Sequence, residues 1–197
     1  MEIKPVILTG RIVRLEPLTL EHVPDLFTAS DPSIWKYMLY GDITAEIDMR
    51  AWVLDMLDRA KAGADLPFSV IHLATGKAIG ATRYLDIRFP HRGLEIGGTW
   101  YGLNYQRSGV NTECKYLLLK HAFETLGCIR VQFKSDSRNE RSIKAIERIG
   151  ARREGILRNH MILQNGTYRH SAYFSIVADE WPEVKKRLEE LLGKQKN

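Results

Sequence analysis

The segment "NYQRSGVNTE", from Asn104 to Glu113, places small polar residues and a charge directly before a helix-like run, "CKYLLLKHAFETLG". A helix N-terminus presents free backbone N–H groups and the positive end of the helix dipole. Small residues in the preceding turn, here Ser108 and Gly109, let those N–H groups close around a phosphate, and Arg107 adds a charge that pairs with phosphate oxygens. The turn therefore suits a pyrophosphate, but a polar turn of this kind is also an ordinary way into a helix.

The composition is that of an ordinary globular chain with a mild basic bias. The 197 residues are 44% hydrophobic and 27% charged, with a formal net charge of +5, and they suffice for one sizeable α/β domain with its own core. The basic residues are spread along the chain, so a nucleic-acid surface is not indicated, whereas an anionic small molecule such as a nucleotide cofactor would suit the bias.

Several further classes of protein are excluded by what the sequence lacks. No run approaches the ~18 consecutive apolar residues of a membrane span, and the N-terminal segment resembles no secretory signal. Cys114 and Cys128 are too few for a disulfide framework, have no C-x-x-C spacing, and are expected to be buried thiols. No spacing of His, Cys, Asp and Glu resembles a metal site, so no metal is expected. These features together predict a cytoplasmic protein without a membrane partner.

The elements that position the turn follow from hydrophobic periodicity. No repeat, low-complexity run or linker divides the sequence, so residues 1–197 are predicted to form a single domain. The pattern gives one strand, two helices, three strands, a helix, a strand, a helix, two strands and a final helix. This order predicts a mixed sheet with helices on both faces rather than a βαβ Rossmann series.

Three local signals refine this order. Gly97 and Gly98 are adjacent within the strand that precedes the turn, which indicates a bulge or the close approach of another backbone. Thr112 is the expected N-cap of the helix after the turn. The dipeptide Asn165–Gly166 predicts a hairpin between the last two strands.

Taken in order, these segments resemble the GNAT acetyltransferase superfamily, and specifically its RimJ/RimL-type branch, over nearly the whole length. The resemblance is sharpest in "EIGGTWYGLNYQRSGVNTECKYLLLKHAFETLG" and "RVQFKSDSRNERSIKAIERIGARREGILR". The first is similar to the family's Q/R-x-x-G-x-G/A acyl-CoA loop, with Gln106 and Gly109 at two signature positions and Asn111 where the third is normally Gly or Ala. The second is similar to the family's strand–Asn–helix segment, with Asn139 in "RNERS".

The resemblance implies a GNAT-like α/β (α+β) domain with a central mixed, mostly antiparallel, twisted sheet, splayed middle strands and helices on both faces. It implies transfer of an acetyl group from acetyl-CoA, as cosubstrate, to a primary amine by direct attack in a ternary complex. The acceptor is a protein N-terminus or a small amine, and a homodimer is compatible with the family. A non-catalytic acyl-CoA-binding or sensing domain on the same fold stays open as the alternative.

The resemblance also implies site residues. Glu95 is expected to be the base for the amine and Ser142 the partner of the leaving thiol, with a salt-bridged Glu95 and an ordinary first-turn helix serine as the alternatives. Ile146 stands near the place where many superfamily members carry a tyrosine that protonates the departing thiolate. The residues expected to bind acetyl-CoA are Trp100, Tyr101, Gln106, Arg107, Ser108, Gly109, Val110, Asn111 and Asn139. Trp100 and Tyr101 would do so through backbone groups offered to the pantetheine arm.

Overall fold

The computed structural model describes residues 1–194. They contain eight strands and six α-helices, joined by loops and short turns. The strands are β1 (Leu8–Thr9), β2 (Val13–Pro17), β3 (Leu66–His72), β4 (Lys77–Arg88), β5 (Gly93–Tyr101), β6 (Arg130–Asp136), β7 (Arg152–Ile162) and β8 (Tyr168–Val177). The helices are α1 (Val23–Ala29), α2 (Pro32–Trp35), α3 (Glu46–Lys61), α4 (Val110–Lys120), α5 (Glu140–Arg148) and α6 (Trp181–Gly193). The predicted order is confirmed, with the two-residue β1 and the four-residue α2 added. Residues 195–197 of the predicted domain lie outside the described residues.

All eight strands belong to one sheet, in the spatial order β1-β2-β3-β4-β5-β6-β8-β7. Neighbouring strands run antiparallel except β5 and β6, which are parallel. The predicted fold class is therefore confirmed. The hairpin that Asn165–Gly166 predicts joins β7 to β8, and Gly166 takes the left-handed φ of +77° within its loop.

Two hydrophobic clusters cover the two faces of the sheet. The larger lies against α4 and α6 and draws on both halves of the sheet, with Leu118, Phe133 and Phe174 among its members. The smaller packs α1 and α3 against β3, β4 and β5 and contains Trp35 and Trp100. Within the described chain, no residue of β6, β7 or β8 belongs to the smaller cluster. On that face, the second half of the sheet is left for polar side chains.

Strand β5 parts from β6 after a short parallel pairing. Gly93 to Glu95 pair with Arg130 to Gln132. Beyond Glu95, β5 continues beside β4 and β6 continues beside β8. Gly98, at φ +58°, lies where the β4–β5 register shifts, so the bulge that the paired glycines predicted is present. A bulge bends and twists its strand, and the edges of β5 and β6 beyond Glu95 face each other across a gap.

The expected N-cap role of Thr112 is wrong. Gly109 is the N-cap of α4 and already has helical angles, φ −66° and ψ −18°, so the helix begins at Val110. Thr112 is consequently two residues inside the helix, where it is buried and its Oγ1 accepts a hydrogen bond from Arg148 Nη2 at 2.9 Å. Inside the helix the Thr112 hydroxyl cannot cap the N-terminus, and it binds Arg148 of α5 instead.

Glu113, the next residue, anchors α4 to the beginning of β2. Its side chain is only 3% exposed, and its carboxylate accepts hydrogen bonds from the backbone N–H groups of Arg11, Ile12 and Val13 at 2.8, 2.7 and 2.8 Å. Hydrogen bonds to a charged acceptor are stronger than those between neutral groups. One carboxylate therefore satisfies three donors about 100 residues away in the chain.

We expect Glu113→Ala to lower the free energy of unfolding by ~3 kcal/mol or more, because it leaves three N–H groups, of which that of Val13 is buried, without their charged acceptor. Urea unfolding followed by circular dichroism measures the change. Glu140→Ala is the matched control, because the Glu140 side chain is 81% exposed, and we expect it to stay within ~0.5 kcal/mol of the unsubstituted protein. Equal unfolding midpoints for the two variants would contradict the anchoring role.

Candidate active site

The gap between β5 and β6 opens into a cavity of about 1210 Å³. Its walls are the parted strands, the turn before α4, one face of α5 and the segment after α2. It is lined by every predicted site residue except Gly109 and Val110, which are buried behind the turn. The volume exceeds that of a usual small-ligand pocket, ~300–1,000 Å³, so one cavity has room for two substrates.

The turn before α4 is held by its own hydrogen bonds. Ser108 Oγ donates to the carbonyl of Tyr105 at 2.6 Å and accepts from the N–H of Val110 at 3.3 Å. Arg107 has a left-handed φ of +58° and an exposed side chain. These features fix the turn at the N-terminus of α4, where the first N–H groups have no partner within the helix.

Gln106 ties the turn to β5 and α5. Its Nε2 donates to the carbonyl of Tyr101 at 2.9 Å, and its Oε1 accepts from Arg141 Nη1 at 2.7 Å. The Tyr101 hydroxyl donates in turn to Asn111 Oδ1 at 3.3 Å. The residue that departs from the loop signature therefore fastens α4 to β5, and Gln106 already occupies the carbonyl that Tyr101 could offer a ligand.

The turn end of the cavity is basic. Arg107 is joined there by Arg141, Lys144 and Arg148, three cations of α5 that line the same cavity. Arginine and lysine at a helix N-terminus suit phosphate groups, which arginine binds through two parallel hydrogen bonds. The α5 cations were not among the site residues predicted from the sequence. Their spacing of three and then four residues, which places them on one helical face, was the available signal.

Asn139 and Ser142 lie together at the start of α5. Asn139 is the N-cap, and its Oδ1 accepts the backbone N–H of Ser142 at 3.1 Å. The side chains of both residues line the cavity, so the Asn139 amide N–H₂ and the Ser142 hydroxyl are available to a ligand. Ile146, one turn further, is buried in the larger cluster.

Glu95 lies where β5 and β6 part and is 2% exposed. Its Oε2 accepts from Gln132 Nε2 at 3.0 Å, and its Oε1 is 3.3 Å from Lys134 Nζ. A Cβ on Gly97 would come within 2.9 Å of Glu95 Oε1, so the glycine leaves room for this carboxylate. Glu95 therefore lines the cavity, as a base would, and also forms an ion pair, as the structural alternative expects.

The face of β6 and β8 around Glu95 is polar. Among the described residues, no side chain of the smaller hydrophobic cluster comes from these two strands. Lys134 and Arg169 line the cavity. His160 Nε2 is 3.3 Å from the Tyr173 hydroxyl, and burial together with the charges of Lys134 and Arg169 lowers the pKa of His160. Lys134 and Arg169 were not among the site residues predicted from the sequence. The alternation of Gln132 with Lys134 in β6 was the signal for a polar face.

These residues fit a CoA-type ligand from end to end. The basic turn suits a pyrophosphate, the unpaired edges of β5 and β6 can bind the amide groups of an extended arm as an added strand would, and a carboxylate stands where the strands meet. Among residues 1–194, His, Cys, Asp and Glu side chains nowhere gather in threes as a metal ion would need, and none of the helices combines the length and hydrophobicity of a membrane span.

Comparisons with known proteins agree with this geometry. A family model described as "Acetyltransferase (GNAT) domain" matches residues 13–152. A Bacillus subtilis protein named "Putative ribosomal N-acetyltransferase YdaF" is 26% identical over 168 residues, which are 85% of this chain and 90% of that protein. The structure of a GCN5-related N-acetyltransferase from Brucella melitensis superposes with a TM-score of 0.90 at 31% identity, covering 96% of this chain and 86% of that one.

Mycobacterium smegmatis RimJ, in complex with CoA-disulfide, shares the fold with a TM-score of 0.79 at 20% identity over 95% of both chains. The resemblance stated from the sequence is confirmed by the family model, and the YdaF relative is named "Putative ribosomal N-acetyltransferase". The family model spans most of the chain, and the Brucella structure matches nearly all of it at more than 30% identity. The chain belongs to the GNAT acetyltransferase family.

Proposed function

We propose that this chain transfers an acetyl group from acetyl-CoA to a primary amine by direct attack in a ternary complex. The observation that carries the proposal is the parting of β5 and β6 beyond Glu95, which joins the basic turn of α4 and a buried carboxylate in one cavity. RimJ, a protein of the same fold, binds CoA-disulfide, and this supports CoA as the carrier of the acetyl group.

In this proposal the turn and α5 bind the phosphates. The N–H groups of the first turn of α4 beyond Val110, the cation of Arg107 and the Ser108 side of the turn face them, together with Arg141, which binds Gln106 of the same turn. The pantetheine arm lies between the strand edges, where backbone groups of β5 are on one side and the Asn139 amide is on the other.

The chemistry needs three services. The amine must lose a proton before or as it attacks, and Glu95 accepts it directly or through water. The carbonyl oxygen of the thioester gathers negative charge in the transition state, and the donors proposed for it are backbone N–H groups of β5 beyond the bulge at Gly98. The thiolate must be stabilised as it leaves, which is the role expected of the Ser142 hydroxyl.

The acceptor enters between the segment after α2 and the polar face of β6 and β8. This part of the cavity contains both apolar and charged groups, among them Tyr40, Met161 and Arg169. A protein N-terminus and a small amine both stay in the proposal, and the name of the YdaF relative makes N-terminal peptides of ribosomal proteins the first acceptors to test.

We further propose that residues 1–197 form one such domain and that it works in the cytoplasm. Cys114 and Cys128 are both free and buried, which suits a reducing compartment. A homodimer is compatible with the proposal, and no metal ion takes part in it.

The test is an acetyl-transfer screen with acetyl-CoA against free amines and short peptides with varied N-terminal residues. Released CoA is measured with a thiol reagent, and the rate without an amine is the control. We expect amine-dependent release with at least one class of acceptor. Acetyl-CoA binding in calorimetry without amine-dependent release across the panel would refute catalysis and favour a non-catalytic acyl-CoA-binding domain.

A further inference from the structure

Lys115 is a buried lysine for which the site described above has no role. It lies on the second turn of α4, is 6% exposed and lines the cavity. Its Nζ donates to Thr99 Oγ1 at 2.7 Å and lies 5.9 Å from the ring centroid of Phe133. Thr99 belongs to β5 just beyond the bulge and Phe133 belongs to β6, so the ammonium group reaches the gap between the parted strands.

The charge of Lys115 is not neutralised by a carboxylate within the described chain. Two buried glutamates could have served as its counter-charge, but both have other partners. Glu95 pairs with Lys134, and Glu113 accepts hydrogen bonds from the backbone at the start of β2. Burial lowers the pKa of Lys115 to about 8, compared with ~10.4 for an exposed lysine. A buried cation without a counter-charge is costly, and perturbed groups of this kind gather at functional sites.

The titratable and charged groups around Lys115 are not equivalent proton donors. Burial raises the pKa of Cys114, its neighbour on α4, to about 12, and burial likewise raises the pKa of Tyr101 on β5. Arg148, from α5, donates its hydrogen bond to Thr112 Oγ1. From β4, only the hydroxyl of Thr82 reaches the same network, through Thr99 at 2.8 Å. Of the three groups whose pKa is shifted here, Cys114, Tyr101 and Lys115, only Lys115 has its pKa moved toward neutral pH.

Lys115 and Glu95 approach the gap from opposite faces of the sheet. Glu95 is on the face that carries Lys134 and the polar side chains of β8. Lys115 comes from α4, which packs on the other face together with Phe133. An acyl group held between the strand edges would therefore have a proton acceptor on one side and a proton donor on the other.

We propose that Lys115 gives its proton to the departing CoA thiolate. The inference rests on the proposed function. It assigns to Lys115 the proton-donor role that Ile146, near the position of the tyrosine of many superfamily members, is unable to perform. The amine nitrogen forms a bond to the acetyl carbon, the C–S bond breaks, and its electron pair stays on sulfur. Nζ transfers one proton to that sulfur, and the neutral Lys115 amine regains a proton from water. The proton that the acceptor nitrogen loses goes to Glu95 or to water.

The first test requires no acceptor and no turnover. The protein is labelled with ¹³C at the lysine ε-carbons, and the resonance that is missing from Lys115→Arg is followed against pH with and without saturating CoA. We expect a titration midpoint near 8 and a change in this resonance when CoA binds. Lys61, 77% exposed on α3, is the internal reference. A midpoint near the ~10.4 of an exposed lysine, or a resonance indifferent to CoA, would overturn the proposal.

The second test compares Lys115→Met, which keeps the length of the side chain without its charge, with Lys115→Arg, which keeps a charge but holds its proton. We expect both to lower kcat by ~10²–10⁴-fold and to change the acetyl-CoA Kd by less than about threefold. A proton donor must be protonated, so the kcat of the unsubstituted protein should fall as pH rises through the pKa of Lys115, and this fall should vanish in both variants.

The outcomes separate the alternatives. Unchanged kcat in Lys115→Arg would make the lysine a charge contact, and a defect confined to acetyl-CoA affinity would make it a ligand of the cofactor; either result overturns the proposal. If the unsubstituted protein binds acetyl-CoA but turns over no amine, the proposed function fails, whatever the titration of Lys115 gives. Circular dichroism of both variants verifies that they are folded.

Discussion

Glu95→Gln is expected to lower kcat by ~10²–10⁴-fold, the usual cost of removing a general base, while acetyl-CoA affinity stays within about threefold. The affinity is spared because the turn that faces the phosphates is held by Gln106 and Ser108, in whose hydrogen bonds Glu95 takes no part. The loss should shrink as pH rises, because more of the acceptor amine then arrives deprotonated. Steady-state rates against pH with one confirmed acceptor measure both effects.

Lys134→Met is the matched control for Glu95→Gln. It breaks the same ion pair from the other side and leaves the carboxylate in place, so its loss of kcat should be at most about tenfold. Ser142→Ala should give a smaller and pH-independent defect if its hydroxyl only stabilises the thiolate. Rates of Glu95→Gln that match the unsubstituted protein across the pH range would make Glu95 structural and leave water as the base.

The second large effect is expected in binding. Gly109→Asp should weaken acetyl-CoA binding at least ~100-fold, which is ~2.7 kcal/mol, because a carboxylate at the N-cap of α4 repels the phosphates and takes up the N–H groups that would bind them. The helix itself should persist, since Gly109 has ordinary helical angles and aspartate is a favoured N-cap residue. Isothermal calorimetry gives the Kd, and thermal unfolding confirms the fold.

Gly155→Asp is the control for this substitution. Gly155 lies in β7, and a Cβ built there meets no atom within 4 Å, so the Kd should be unchanged. Arg107→Ala removes a single charge-assisted contact and should cost ~1–3 kcal/mol, less than Gly109→Asp. Unaltered acetyl-CoA affinity in Gly109→Asp would remove the phosphate cradle from the proposed function.

Local patterns were enough to predict much of the fold. The order of strands and helices, the bulge at Gly98 and the hairpin at Asn165–Gly166 depend on periodicity and on glycine conformation, which are properties of neighbouring residues. Thr112 shows where this fails. Its residue type suits a helix N-cap, but its hydroxyl is engaged by Arg148 of another helix, and sequence propensity contains no information about that partner.

The contents of the cavity were harder to predict because they depend on contacts between distant segments. Outside the cavity the same holds for Glu113, whose type and position predict a surface charge on a helix, whereas its three donors are Arg11 and Ile12, which precede β2, and Val13, the first residue of β2. The position of Lys115 in α4 predicts a partly exposed side chain. In the structure its ammonium group is buried, because it reaches Thr99 where β5 and β6 part. The departure at Asn111 is explained in the same way, by the hydroxyl of Tyr101. Charges in a cavity are recognised only once the fold is known.

The parting of β5 and β6 gives this sheet four open backbone edges instead of two. Open strand edges invite pairing with other chains and aggregation. The outer edges are blunted, since β1 has two residues and β7 carries Arg152, Arg153 and Arg158, with an irregular register around Asn159, where φ is +50°. The inner edges face each other within one molecule. Their capacity to form hydrogen bonds is thereby kept for a thin extended ligand and withheld from the strands of neighbouring proteins.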